Sequence, residues 1–267
     1  MFHLQKATHV TSNDGRPGDD TLLWLAHQYA YPPRATTGSG PATPFVRANM
    51  VSSIDGAVTV EGRSGGLGGD GDKALFRVLR GLADVILVGA GTATTEDYGQ
   101  PQPDAVFAAL RDADGQQPAP VLALVSKSLS VPPDYAPVTH PQTVVFTCRD
   151  APADRRRALT DAGATLIDCG DDTVDIAAVL ARCVERGWSR VLCEGGPSLL
   201  GSVAGADALD ELCLTTSPFF VGGTARRIAV SHPGTETPAL RSMQPASIIT
   251  DDDGFVFTRW RRADRHP

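Results

Sequence analysis

The sequence has few residues of the kinds that bind metal ions, and their spacing does not form a ligand set. It contains five cysteines and six histidines, and none of them forms an H-E-x-x-H, H-x-E, P-C-x-x-C or C-x-x-C pattern. Zinc sites, including those of nucleobase deaminases, need ligands at such spacings. The sequence therefore predicts no metal site and no zinc-dependent deaminase. The odd number of cysteines and the apolar stretches around them predict buried, reduced thiols.

Long apolar runs and a basic character are also missing. No run approaches the length of about 18 residues that a membrane-spanning helix needs, and the first 20 residues lack the basic start and apolar core of a secretory signal. The net charge is −7 and the pI is near 5.3, so a nucleic acid would need a local basic patch to bind. We therefore expect a cytoplasmic protein whose partner is a small molecule rather than a nucleic acid or a membrane.

The length of 267 residues suits one α/β domain with a short extension. We predict that residues 1–44 form an N-terminal extension and linker. Within them, a helix over Thr21–Tyr31 precedes a stretch rich in proline, glycine, serine and threonine, which is typical of linkers. Residues 45–264 are predicted to form the folded domain.

From Phe45 onward, short apolar runs alternate with segments of helical period. The apolar positions from Leu75 to Leu82 recur at 3.6-residue spacing and predict a helix over 72–82. Continuous apolar runs, typical of strands buried on both faces, lie at 84–88, 121–125, 143–147 and 190–193.

The last segments predict a hairpin. Residues 247–250 and 255–260 alternate around the turn sequence Asp251–Gly254. The fold class is therefore α/β, with a mostly parallel central sheet, helices on both faces and a C-terminal antiparallel hairpin.

Two glycine-rich turns follow predicted strands, Glu194-Gly-Gly-Pro-Ser198 and Gly89-Ala-Gly-Thr92. Glycine lets the backbone approach a ligand closely, and proline suits the first turn of a helix. Free N–H groups at Gly196, Ser198 and Leu199 would favour an anion such as a diphosphate. Neither turn has the G-x-G-x-x-G pattern, and a plain tight turn is the alternative for each. Because both turns lie at the carboxyl ends of strands, where open α/β sheets bind ligands, we expect a nucleotide there.

Polar residues follow the same strand ends. Glu194 comes directly after a buried strand, so we expect a partly desolvated carboxylate in the crevice, with capping of the next helix as the alternative. Ser126 and Lys127 end another strand and offer a hydroxyl and an ammonium group. The stretch 61–69 holds five glycines and suits either a lid over a site or an ordinary surface loop.

Taken in order, these motifs resemble one known family. The sequence reads N-x-x-S-S-I-D-G, then L-R-x-x-A-D-V-I-L-V-G-x-G-T, then V-L-C-E-G-G-P-S-L-L, followed by D-E-L-x-L-T-x-x-P-x-x-x-G-G. This pattern, over about residues 45–261, resembles the reductase domain of the bacterial riboflavin-biosynthesis deaminase/reductase family. The resemblance implies a fold like that of dihydrofolate reductase and an NADPH-dependent reduction of the ribosyl group of a phosphoribosylamino-pyrimidine. Because the zinc ligands of the deaminase domain are absent, a stand-alone reductase over 45–264 is expected.

The resemblance also implies roles for individual residues. It implies substrate contacts at Ser64, Arg80 and Glu194. It implies NADPH contacts at Val51, Gly66, Thr92, Glu96, Ser126, Gly196, Pro197, Ser198, Leu199, Leu200, Gly201 and Ser202. The glycine turns and the strand end described above add Gly89, Gly91, Lys127 and Gly195 to the predicted cofactor site.

The sequence departs from the family pattern on the substrate side. Ala57 stands where members often have lysine or arginine, and Glu96–Gln100 replaces a D-D-P-x-L-T-x-R segment, so one substrate-facing arginine has no counterpart. The hypothesis is an NADPH-dependent reductase, in homodimeric form, of 5-amino-6-(5-phosphoribosylamino)uracil, in which Glu194 orients the substrate ring. Two alternatives stay open: reduction of dihydrofolate or another pterin, and a regulatory protein that binds NADPH without turnover.

Overall fold

A ten-stranded sheet runs through the computed structural model, which describes residues 5–6, 17–32, 43–231 and 240–263. Its strands are β1 (Gln5–Lys6), β2 (Phe45–Ser52), β3 (Val85–Gly89), β4 (Val121–Val125), β5 (Thr143–Thr147), β6 (Leu166–Asp168), β7 (Arg190–Cys193), β8 (Glu211–Thr216), β9 (Met243–Thr250) and β10 (Val256–Arg262). Their spatial order is β1-β9-β10-β8-β2-β7-β3-β4-β5-β6. Neighbours from β8 to β6 are parallel, whereas β10 is antiparallel to both β8 and β9. The predicted sheet and its closing hairpin are confirmed.

The helices cover both faces of this sheet. Within the described residues they are α1 (Asp19–Gln28), α2 (Asp70–Leu82), α3 (Ala90–Thr95), α4 (Ala108–Ala113), α5 (Ala153–Asp161), α6 (Ile176–Glu185) and α7 (Pro197–Gly205). Ile86 and Val88 of β3 pack with α1 and α2, while Val85 and Leu87 of the same strand pack with α6 and α7. This alternation explains the continuous apolar runs, because both faces of each central strand are buried. The described helices are all too short or too polar to cross a lipid bilayer.

Two helices were not predicted from the sequence. The turn after β3 leads at once into α3, which has only six residues and no apolar period, although Ala90 and Ala93 are buried. The helix α4 lies in a segment to which no element was assigned. The helix predicted over 72–82 begins two residues earlier, at Asp70. All five cysteines are free and buried, as predicted.

The described part of the N-terminal segment belongs to the same core as the sheet. Leu22, Ala26 and Tyr29 are buried, and α1 packs against α2. The guanidinium group of Arg259, on β10, donates a hydrogen bond to the carbonyl oxygen of Gln28. Residues 17–32 are therefore an integral part of the fold. Most of the predicted linker lies outside the described residues, and the predicted boundary at residue 44 stays a prediction.

A buried ion pair joins β2 and β8 beneath this segment. Arg47 and Glu211 are both fully buried, and Arg47 Nε donates to Glu211 Oε1 at 2.6 Å. The other carboxylate oxygen accepts from Arg261 Nε at 2.7 Å, and the Tyr31 ring covers the Arg47 guanidinium at 4.0 Å. Burial by itself would raise the pKa of Glu211, but the arginines around it hold that pKa below its ordinary value. The pair is thus neutralised locally and sealed from solvent.

Candidate active site

A cleft of about 680 Å³ opens at the carboxyl ends of β2, β3 and β7. This volume suits a small-molecule site, and open parallel sheets bind ligands at this edge. Loop 61–69, α2, α3 and residues 224–226 complete its walls. Eight of the predicted site residues line it: Val51, Ser64, Gly91, Thr92, Glu96, Glu194, Gly196 and Pro197.

The two predicted glycine turns pack directly against each other. The Gly89 N–H donates to the Gly195 carbonyl oxygen at 2.7 Å, and the Gly196 N–H donates to Thr92 Oγ1 at 3.1 Å. Gly195 has φ +74°, a region that favours glycine, and a Cβ at Gly196 would lie 2.5 Å from Thr92 Oγ1. The prediction of a free N–H at Gly196 is therefore wrong, because the Thr92 hydroxyl already accepts it. That hydroxyl keeps its own proton for another acceptor.

Glu194 lies in the cleft, directly after β7, and is bound by an arginine. Arg80 Nε and Nη2 donate to the two Glu194 oxygens at 2.8 Å each, and the Glu194 side chain is 1% exposed. The start of α7 has Gly196 as its N-cap and no side-chain cap, so the alternative capping role of Glu194 is not found. A buried carboxylate at the strand end, as predicted, is present.

Arg80 joins the pair to two aromatic rings. Its guanidinium carbon lies 4.1 Å from the Phe76 ring centre and 4.8 Å from that of Tyr98. Burial would lower the pKa of Arg80, but the Glu194 carboxylate raises it above the ordinary value. Burial next to Glu194 raises the pKa of Tyr98, which stays a neutral phenol. Since Glu194 takes one edge of the guanidinium, the N–H groups of Arg80 that remain for another acceptor are the two on Nη1 and the second one on Nη2.

Glu96 ties the glycine-rich loop to α3. Its Oε1 accepts a hydrogen bond from the Ser64 N–H at 2.7 Å, so both predicted residues are held at the cleft wall. Gly62, Ser64, Gly65 and Gly68 of the loop face the cleft. The loop therefore forms one wall of the site, and its proposed movement as a lid stays a prediction.

The turn that follows β2 fixes a neighbouring loop. Asp55 accepts hydrogen bonds from Ser53 Oγ at 2.6 Å, from the Val221 N–H at 3.1 Å and from the Gly222 N–H at 2.7 Å. The Ser53 hydroxyl and the two N–H groups lower the pKa of Asp55 to about 2. The Asp-Gly turn thus positions residues 221–222, just before the part of the chain that lines the cleft at 224–226.

The other predicted site residues stand outside the cleft lining. Leu199 and Leu200 are buried in the core, and a Cβ at Gly201 would meet the Val230 carbonyl oxygen at 2.1 Å. Ser126 Oγ accepts the Leu129 N–H at 3.0 Å within its own turn. Contacts of these residues with a cofactor stay predictions, and those of the two leucines would have to be made by the backbone. The predicted residues outside the lining are Gly66, Arg80, Gly89, Ser126, Lys127, Gly195, Ser198, Leu199, Leu200, Gly201 and Ser202.

The sequence reasoning missed several residues that line the cleft, among them Asp72, Phe76 and Arg226, and it noted Tyr98 only as a departure from the family pattern. Asp72, Phe76 and Arg80 recur at four-residue intervals on α2. A carboxylate in line with an aromatic residue on one face of a helix is the signal that could have found them. Nothing in the local pattern of residues 224–227 marks Arg226.

Comparison with known proteins identifies the family of this chain. The chain matches the RibD C-terminal domain family over residues 44–257. It belongs to that family. The resemblance to the reductase domain of riboflavin biosynthesis, inferred from the sequence motifs, is thereby confirmed.

Several relatives of this RibD C-terminal domain protein are named as reductases. The 2,5-diamino-6-ribosylamino-4(3H)-pyrimidinone 5′-phosphate reductase of Archaeoglobus fulgidus is 28% identical over 67% of this chain and 83% of its own length. The enzyme of the same name from Methanothermobacter thermautotrophicus is 27% identical over 80% of this chain and 96% of its own length. A pyrimidine reductase-like protein from Corynebacterium diphtheriae has the same fold, with a TM-score of 0.76, 26% identity and coverage of 89% of this chain and 98% of that one.

Proposed function

We propose that this protein is an NADPH-dependent reductase that converts the ribosyl group of a phosphoribosylamino-pyrimidine of riboflavin biosynthesis to ribityl. The observation that carries the proposal is the cleft, in which two interlocked glycine turns adjoin a buried Arg80–Glu194 pair. The substrate predicted from the sequence is 5-amino-6-(5-phosphoribosylamino)uracil. The named relatives act on a 2,5-diamino-4(3H)-pyrimidinone, which differs at ring position 2.

The residues at the glycine turns fit a dinucleotide. A Cβ at Gly196 would lie 2.5 Å from Thr92 Oγ1, so glycine at this position lets the two turns approach each other closely, and the Thr92 hydroxyl has a proton to donate. Pro197 begins α7, whose first-turn N–H groups favour a phosphate. Gly91, Thr92, Gly196 and Pro197 would therefore hold the diphosphate. When bound, the reduced nicotinamide supplies the hydride.

The remaining walls suit a polar, flat and phosphorylated substrate. In the reduction, the bond between C1′ of the ribosyl group and the ring oxygen breaks, C1′ takes the hydride and the oxygen takes a proton. C1′ must therefore be held against the nicotinamide, and Glu194, fixed by two hydrogen bonds, supplies a rigid acceptor for orienting the substrate. Water in the open cleft is the proton source. Arg226 lines the cleft and its positive charge favours the substrate phosphate, whereas the Lys73 ammonium binds Asp70.

In this proposal, the residues that follow β4 select NADPH over NADH. The strands β7, β3 and β4 are neighbours, so Ser126 and Lys127 stand two strand spacings, about 10 Å, from the glycine turn after β7. A dinucleotide that runs along this edge brings its adenosine end toward them. Lys127 is exposed, and its ammonium group can form an ion pair with a 2′-phosphate.

An absorbance assay of NADPH oxidation tests the function. We expect oxidation that depends on a phosphoribosylamino-pyrimidine, with dihydrofolate tested beside it. Oxidation with dihydrofolate alone would favour the pterin alternative. Binding of NADPH without oxidation in the presence of either compound would favour the regulatory alternative.

We also propose that the protein is a cytoplasmic homodimer. Ile54, Phe219, Phe220 and Val221 form an exposed apolar cluster beside the cleft, in which Phe219 is 50% and Phe220 79% exposed. Exposed apolar clusters favour association with another surface. Sedimentation of the protein and of the Phe219→Ser, Phe220→Ser variant tests this, since a dimer joined at this cluster becomes monomeric in the variant.

A further inference from the structure

Three carboxylates line the cleft, and they differ in their partners. Glu194 accepts hydrogen bonds from Arg80 on both of its oxygens, and Glu96 Oε1 accepts the Ser64 N–H. Asp72, in the first turn of α2, lines the same cleft and has no ion pair among the described residues. The neighbouring Lys73 ammonium instead binds Asp70 at 3.0 Å. Among the described residues that line the cleft, Asp72 is therefore the carboxylate that neither an ion pair nor a backbone N–H occupies.

The surroundings of Asp72 favour a ligand that donates hydrogen bonds. Burial raises the pKa of Asp72, and the Thr215 hydroxyl and the charge of Lys73 offset this only in part. A Cβ at Gly68 would lie 2.8 Å from Asp72 Oδ2, so the absence of a side chain there makes room for the carboxylate. A carboxylate enclosed in this way is stabilised by N–H donors directed at its oxygens.

The helix also places an aromatic ring near this carboxylate. Asp72 and Phe76 both line the cleft, and they are one helical turn apart, with a rise of about 6 Å. Arg80 lies a further turn along and contacts the Phe76 ring. This face of α2 therefore suits a flat heterocycle that has N–H donors on the edge directed at Asp72.

We propose that Asp72 binds the substrate ring through its 2-amino group and the adjacent N3–H, so that the enzyme selects a 2-amino-4-oxopyrimidine over the corresponding uracil. This inference rests on the proposed function and adds the identity of the ring. The 2-amino ring presents two adjacent donors, which match the two oxygens of a carboxylate. In the uracil a carbonyl oxygen replaces the amino group and faces the carboxylate with lone pairs, which leaves one carboxylate oxygen unpaired.

Calorimetric titration of the full chain with NADP⁺ present tests the proposal. NADP⁺ supplies no hydride, so the two phosphoribosylamino-pyrimidines, which differ only at position 2, bind without turnover. The wild-type protein is expected to bind the 2-amino compound about 10- to 100-fold more tightly than the uracil. Asp72→Asn retains the shape of the side chain but offers one acceptor and one donor, which match the N3–H and the C2 carbonyl of the uracil. We expect this variant to lose or invert the preference.

Asp70→Asn is the matched control. Asp70 is on the same helical turn, but its side chain is mostly exposed and lies outside the cleft lining, so this variant should keep the wild-type ratio of affinities. Equal wild-type affinities for the two rings, or an unchanged ratio in folded Asp72→Asn, would overturn the proposal while leaving the reductase function intact. If the wild-type protein neither binds nor reduces either ring, the proposed function fails as well.

Discussion

Two buried arginine–glutamate pairs in this molecule differ in what surrounds them. Arg47 and Glu211 join neighbouring strands, are fully buried and are covered by the Tyr31 ring. Arg80 and Glu194 join a helix to a strand end; Glu194 lines the cleft, and the Arg80 side chain next to it is 22% exposed. Both pairs contain the same two residue types, so the sequence alone does not separate them. The difference in exposure does separate them: it favours a structural role for Arg47 and Glu211, and it agrees with the proposed role of Arg80 and Glu194 at the site.

The largest expected effect is on the unfolding free energy, and it comes from the fully buried Arg47–Glu211 pair. Glu211→Gln leaves the Arg47 guanidinium buried without a counter-charge, which should cost about 3–5 kcal/mol of unfolding free energy. Urea denaturation measures it. Glu194→Gln should cost clearly less, because Arg80 can reach the water of the cleft. Equal losses in the two variants would remove the distinction between the pairs.

The second effect concerns turnover and the partly exposed Arg80–Glu194 pair. Glu194→Gln removes the charge proposed to orient the substrate, so kcat/KM should fall about 10- to 100-fold, while the affinity for NADPH changes little. Steady-state kinetics and a cofactor titration provide the two values. A parallel loss of NADPH affinity would make Glu194 a structural residue that holds Arg80.

The third effect is on NADPH affinity and tests the two glycine turns, where the cofactor is proposed to bind. Gly196→Ala puts a Cβ 2.5 Å from Thr92 Oγ1, so either the Thr92 side chain or one of the two glycine turns must shift and the hydrogen bond between them is disturbed. We expect NADPH affinity to fall about tenfold, an energetic cost of about 1.4 kcal/mol. Gly99→Ala is the control, because a Cβ there meets nothing within 4 Å. Unchanged affinity in folded Gly196→Ala would place the cofactor elsewhere.

A fourth effect concerns the choice of cofactor. Ser126→Asp combined with Lys127→Ala replaces a hydroxyl and a cation by a carboxylate, which should repel a 2′-phosphate. NADPH affinity is expected to fall by about tenfold or more, with NADH barely affected. Titrations with the two cofactors on the same preparation check this. A variant that keeps its full preference for NADPH would show that other residues bind the 2′-phosphate.

The smallest effect is on acid stability at the turn beside the cleft. Since the pKa of Asp55 is lowered to about 2, its contribution is fully present above the unfolded value of about 3.9 and is lost as the pH falls toward 2. Asp55→Asn should lack this contribution at every pH. The difference in stability between wild type and variant should therefore be constant near neutral pH and shrink between about pH 4 and pH 2. A constant difference down to pH 2 would contradict the lowered pKa.

The sequence predicted those parts of the fold that repeat a pattern. Buried central strands such as β3 and β4 appear as continuous apolar runs, and α2 has a clear helical period, so both were found. The helix α3 was missed because its six small residues carry no period. The predicted carboxyl ends of the strands indicated where the cleft lies, and Glu194 was correctly predicted to lie in it. Asp72 and the binding of Gly196 by Thr92 were not predicted, because both depend on which loops and helices meet in three dimensions.

The position of β10 has a consequence for how the chain is made. This strand lies between β8 and β9, although it follows both along the chain, and it brings Arg261 to Glu211. During synthesis on the ribosome, β9 emerges before the strand that connects it to the parallel part of the sheet. Until residues 256–262 have left the exit tunnel, Glu211 lacks two of its cations, Arg259 and Arg261, and β9 lacks its partner in the hairpin. The parallel part of the sheet can therefore form early, while the domain is completed only after β10 has emerged.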